Sequence, residues 1–120
     1  RRFALERRLA LYPALCQVLE REGEVAGYVM GRDRQGFTAV GPWVVRPDVE
    51  RPVDLLQSLA LEARDNLGLG VLETNHAAAK AVRALGLAER PDPPWRMVLG
   101  PSSNLGTSPM AYAIGDPATG

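Results

Sequence analysis

Residues 37–74, FTAVGPWVVRPDVERPVDLLQSLALEARDNLGLGVLET, decide the fold. The run Phe37–Val45 is apolar and β-branched, the composition of a strand covered on both faces. Gly41-Pro42 interrupts it, and because proline lacks a ladder donor, a bulge or local splaying is expected there. The period then changes. From Pro52 onward Leu56, Leu59, Ala60, Ala63 and Leu67 recur at helical spacing, with Pro52 suited to the first helical position and Gly68 to the stop. Leu69–Thr74 is again short and apolar, which predicts a buried strand. Strand, helix and strand in this order make a βαβ unit, which demands a parallel pair and a right-handed crossover.

Upstream, Leu15–Glu20 and Val25–Met30 flank a polar turn at Glu22-Gly23 and predict a β-hairpin. With Phe37–Val45 that hairpin becomes a three-strand antiparallel meander. The opening segment RRFALERRLALYP (1–13) sets Phe3, Leu5, Leu9 and Leu11 among arginines and a glutamate. This is the pattern of a short amphipathic helix that ends at or before Pro13. Downstream, NHAAAKAVRALG (75–86) predicts a helix with Asn75 as N-cap, Ala78, Val82 and Leu85 facing inward, and Gly86 at the end. WRMVLG (95–100) alternates like one more strand, and in the tail only MAYAIG (110–115) predicts order, as an edge strand. The fold class is α/β, a mixed α+β sheet flanked by helices.

Composition narrows the function classes. A chain of 120 residues makes one domain, and its start at Arg1 within a helical pattern leads us to expect a piece of a longer chain. Fourteen basic residues balance fourteen acidic ones, so neither a nucleic-acid footprint nor an anionic-membrane surface is expected. Cys16 and His76 are the single cysteine and histidine, which excludes an internal disulfide and a Cys/His zinc site. No metal centre is expected, and a reducing cytoplasm is the default compartment. Cys16 reads as a structural thiol on a strand, and His76 as an exposed first-turn residue. Phosphate loops of the GxGxxG or Walker type are missing from the sequence. Two helices nevertheless begin at the carboxyl ends of neighbouring strands, at Pro52 and Asn75, where free amides suit an anionic group. Arg46 and Arg51 bracket the first of these starts, with Asp48 and Glu50 between them.

Several segments carry a family likeness. VAGYVMGR (25–32), GPWVVRPD (41–48), NHAAAKAVRALGL (75–87), WRMVLGP (95–101) and YAIGDPATG (112–120) together resemble the GNAT N-acetyltransferase superfamily. The likeness is to the C-terminal domain of proteins that carry two GNAT-like domains, so residues 1–120 would be a single GNAT-like domain and one half of such a chain. It implies acetyl-CoA as co-substrate, no metal, and an amine on a small molecule or peptide as acceptor. The pantetheine arm would lie in a gap between the central strand and strand 69–74. By this resemblance the acyl donor meets Val44, Val45, Arg46, Arg51, Pro52, Val53, Asn75 and Ala78. A backbone amide near Val44 or Val45 would stabilise an oxyanion. Asn75 would order the pantetheine, in addition to capping its helix. Tyr28 and Trp43 would line the acceptor pocket, the alternative being ordinary core positions. The catalytic residues stay unassigned: Glu73 is a candidate base and Tyr112 a candidate acid.

Three positions depart from the family pattern. The loop expected to hold pyrophosphate reads RPDVERP (46–52), without a glycine to let backbone amides approach phosphate. Val82 stands seven residues after Asn75, where many members place a tyrosine that protonates the departing thiolate. Gly86-Leu87 replaces the family's Gly-Phe. These departures raise an alternative: a catalytically degenerate domain that serves as structural, dimerisation or acyl-CoA-sensing partner of a second GNAT-like domain or of another copy.

Overall fold

The computed structural model describes residues 2–92 and 109–115. Helix α1 (Arg2–Leu11) leads through a short 3-10 turn (Pro13–Leu15) into strands β1 (Cys16–Arg21), β2 (Glu24–Arg34) and β3 (Phe37–Val45). Helix α2 (Val53–Glu62), strand β4 (Leu67–Leu69), helix α3 (His76–Ala84) and strand β5 (Ala111–Ala113) follow. The order β1-β2-β3-β4 runs across one sheet, and β5 also pairs with β3. β1–β2 and β2–β3 are antiparallel and β3–β4 is parallel, so the meander and the βαβ unit are both present. The strand expected at 95–100 lies outside the described residues.

Local chemistry explains the elements. Glu22 and Gly23 both have positive φ (53° and 79°), the geometry a two-residue hairpin needs and glycine tolerates. In β3 the expected bulge falls at Gly41-Pro42. β2 advances two residues from Val29 to Gly31 while β3 advances three between their partners Trp43 and Val40. The extra residue shifts the phase of the strand. Thr38 and Val40 before it, and Trp43 and Val45 after it, are therefore all buried. They pack with Leu15, Val29 and the α2 residues Leu55, Leu56 and Leu59 into the core. The opposite face of β3 is only half-buried, at Ala39, Pro42 and Val44, rather than fully covered.

Three expectations need correction. α2 ends at Glu62, not near Gly68, because Ala63 turns extended (φ −74°, ψ 137°). Leu67 is drawn instead into β4 opposite Thr38, whose N–H donates to Asn66 O at 2.8 Å. Ala60 is consequently exposed. β4 stops at Leu69 and does not continue to Thr74, since past Gly41 the edge of β3 pairs with β5 instead. α1 buries none of its residues, and Phe3, Leu9 and Leu11 are 75%, 52% and 59% exposed, so its apolar positions are not a core-facing stripe. The tail strand β5 forms as expected, its ladder running along the second half of β3 alone.

Candidate functional site

The site begins where β3 and β4 part. Their ladder consists of Thr38–Leu67, Ala39–Gly68 and Val40–Leu69, and it ends there although β3 runs on to Val45. Beyond that point the edge of β3 and the segment after β4 face a slot. Residues of the tail occupy it. Trp43 pairs with Ala113 and Val44 with Ala111, with an irregularity between them. The Val45 N–H donates to Met110 O at 2.9 Å. On the other side the Ile114 N–H donates to Gly70 O at 3.0 Å.

Asn75 joins the two sides. Its Oδ1 accepts from the Ala78 N–H at 3.0 Å, the N-cap bond that starts α3. Its Nδ2 donates to Ala111 O at 2.8 Å and more weakly to Pro109 O at 3.4 Å. The side chain is thus a cap and a clamp on an extended chain at once, which suits its burial. Replacing it with alanine should remove both, costing about 2 kcal/mol in denaturant unfolding, one for the cap and one for the clamp. Asn75→Asp should keep the cap but set a carboxylate oxygen against Ala111 O. It should loosen β5 while α3 stays folded, so equal hydrogen exchange at Val45 in the wild type and this variant would contradict the clamp.

Aromatic rings close the inner end. Trp43 has no exposed surface, and its ring meets Tyr112 with centroids 4.8 Å apart at 47°. Trp43 therefore belongs to the core and forms no open wall of an acceptor pocket; Tyr28, half-buried opposite Val44, sits on β2. Tyr112 is half-buried against Trp43, and Glu73 is exposed beyond the end of β4. Val82, at the position of the family's acid, packs against the core.

The loop after β3 gathers charge. Arg46 donates from Nε and Nη2 to the two carboxylate oxygens of Asp48 at 3.0 and 2.8 Å, and Nη1 reaches Glu24 at 3.5 Å. The hydrogen bonds from Arg46, more than its charge, hold the Asp48 carboxyl below the usual carboxylate range. Arg51 donates to Asp54 at 3.0 and 3.2 Å, just inside the first turn of α2 after Pro52 and Val53. Arg21, from β1, donates to Asp48 O at 3.0 Å. The hairpin brings it there across 27 positions of chain, a proximity with no trace in local sequence. Cys16 donates its thiol to Tyr12 O, and burial pushes that thiol up against the opposing charge of Arg8.

The tail contacts were also beyond sequence reasoning, because Met110, Ala111 and Ile114 act through backbone groups. The small side chains of Ala111 and Ala113 are the one trace of close packing. Among the described residues no helix is long and apolar enough to cross a membrane, and no group of three or more His, Cys, Asp or Glu is placed to hold a metal ion.

The mixed sheet with helices starting beyond its parted central strands is the GNAT architecture. A family described as Acetyltransferase (GNAT) domain matches residues 1–111. The chain belongs to this family of acetyltransferase domains. No curated protein and no solved structure matched the chain. Members of this family generally use acetyl-CoA. The Val45 N–H, the Gly70 carbonyl and the Asn75 amide all hold the β5 segment.

Proposed function

We propose that this domain transfers an acetyl group from acetyl-CoA to an amine of a small molecule or peptide. The observation that carries this reading is the parting of β3 and β4 beyond Val40 and Leu69, which leaves backbone edges suited to gripping an extended chain. Acetyl-CoA, when bound, supplies the activated acetyl thioester. With β5 withdrawn, the Val45 N–H would donate toward negative charge developing on the acyl oxygen. Val44 would present its strand edge, and Asn75, held by Ala78, would orient the arm. Arg46 and Arg51 would meet the phosphates near Pro52 and Val53. Their present ion pairs are exposed and weak enough to be exchanged for a doubly charged group. Tyr28 would flank the acceptor, with Glu73 and Tyr112 as the candidate base and acid. A cytoplasmic setting belongs to the same proposal.

A second reading is favoured by β5 itself, which satisfies both edges of the slot, and by the glycine-free loop and Val82. In it the domain is catalytically degenerate and serves as structural or acyl-CoA-sensing partner of a second GNAT-like domain or another copy.

Thermal unfolding with and without acetyl-CoA separates the readings. Ligand at 100 times its Kd stabilises a fold by about 2.7 kcal/mol, several degrees in Tm for a domain of this size. A shift accompanied by acetylation of a member of an amine panel is the expected result; a shift without turnover favours sensing. No shift at millimolar acetyl-CoA, in the wild type and in a chain whose β5 is loosened, would refute the transferase. Arg46→Ala and Arg51→Ala should each weaken binding roughly three- to tenfold through lost charge-assisted bonds, and unchanged affinity would mean that the phosphates lie elsewhere.

A further inference from the structure

The segment Pro109–Gly115 uses the slot as a ligand would. It enters as an extended chain between two elements that no longer pair with each other. Toward β3 it accepts from the Val45 N–H, toward the segment after β4 it donates to Gly70 O, and from α3 it receives the Asn75 amide. Donor, acceptor and clamp are all main-chain or primary-amide groups, so what they recognise is an amide-bearing extended chain and not a particular side chain. The pantetheine arm of acetyl-CoA is a chain of that chemistry, with two secondary amides along a slender backbone. The Val45 N–H carries one proton, and the two protons of Asn75 Nδ2 go to Ala111 O and Pro109 O, so arm and strand cannot both be held.

The hold on β5 is also limited. The strand is three residues long, its register with β3 is irregular, and Ala113 is its one fully buried side chain. The Tyr112–Trp43 ring contact and the hydrogen bonds above add to that hold. β3, by contrast, is paired along its length with β2 and anchored by the Arg8 guanidinium donating to Gly41 O. Of the two partners in the slot, the tail strand is the one able to leave.

We propose that Pro109–Gly115 is a built-in competitor of the acyl donor, an autoinhibitory strand that closes the slot in the resting chain and is displaced when acetyl-CoA enters. The proposal rests on the slot being the acyl-donor site, as in the preceding section. It makes the apparent affinity for acetyl-CoA the intrinsic affinity reduced by the fraction of molecules whose strand is out.

The test uses the whole chain. Ile114→Pro deletes the N–H that donates to Gly70 and leaves β3, β4 and Asn75 unchanged. Losing that bond should raise the open fraction and tighten acetyl-CoA binding, read by titration calorimetry, about tenfold. In the wild type, acetyl-CoA should strip hydrogen-exchange protection from the Ile114 amide while the Val45 amide stays protected by its new partner. A converse variant covers the case in which the proline variant does not fold. A Cβ built on Gly70 comes within 3.3 Å of Ile114 Cγ1, so Gly70→Cys with Ile114→Cys, in a Cys16→Ser background, places two thiols for a disulfide across the slot. Oxidation should abolish acetyl-CoA binding and reduction should restore it.

Two results would overturn the proposal in distinguishable ways. If wild type binds acetyl-CoA with Ile114 still protected, and the oxidised chain binds as well as the reduced one, the strand is no competitor but the acetyl-CoA reading stands. If neither the wild type nor the reduced or proline variants bind acetyl-CoA, the slot is not an acyl-donor site and both readings fall together.

Discussion

Trp43→Ala should lower the unfolding free energy by about 3–5 kcal/mol, the largest loss from any single truncation in this chain. Trp43 is wholly buried, at the centre of a core that Val29, Val40 and Val45 supply from the sheet and Leu55, Leu56 and Leu59 from α2. Removing the indole forfeits its transfer energy and leaves a cavity that a sheet pinned on both sides cannot close. It also takes away the wall on which Tyr112 rests, so β5 should loosen along with the core. Domains of this size are stable by roughly 5–15 kcal/mol, so the variant should unfold at far lower urea than the wild type. Trp43→Phe is the informative control. It keeps an aromatic ring and deletes an indole N–H that has no hydrogen-bond partner among the described residues, so it should cost less than half as much. A Trp43→Ala loss under 1 kcal/mol would mean that the ring does not sit in the core.

Gly41→Ala should act on a different part of the balance. Gly41 has φ +143°, a conformation that side-chain-bearing residues rarely adopt, and a β-carbon there would run into the Ile114 carbonyl, whose carbon would be only 2.8 Å away. The backbone penalty alone is about 1–3 kcal/mol. The collision must be relieved by movement of β3 or β5, and the shorter, irregularly paired strand should yield. We expect about 2–4 kcal/mol of lost stability by denaturant unfolding, with hydrogen exchange at Val45 and Ile114 accelerated well beyond the rest of the sheet. Wild-type protection at Ile114 in this variant would show that tail and central strand do not approach so closely.

Elements with a strong local cause were legible from the chain. The Glu22-Gly23 turn flanked by alternating residues dictated the hairpin, and Asn75 followed by an alanine-rich amphipathic run dictated α3 and its cap. The bulge at Gly41-Pro42 was legible too, because proline cannot donate to a ladder. What it accomplishes was not: the phase shift that buries both Thr38 and Trp43 depends on the register with β2. The helical spacing runs on through Ala63 and Leu67 past the end of α2, and only the bond from Thr38 to the following segment shows that they leave it. α1 has apolar residues at plausible positions, yet nothing in a periodicity shows that a face has no partner. Asn75 was found as a cap and as a family residue, but its hold on Ala111 joins positions 36 apart in the chain.

The sequence alone determined the order of the described strands and helices, the parallel pair, the family and, to within a residue, where α2 and α3 begin, since all of these follow from side-chain type at short spacing. Tertiary structure alone decided what fills the space between β3 and β4. Backbone hydrogen bonds carry no side-chain signature, so a chain's own tail and a foreign amide arm look alike to the strands that receive them, and only the folded geometry shows which one is there.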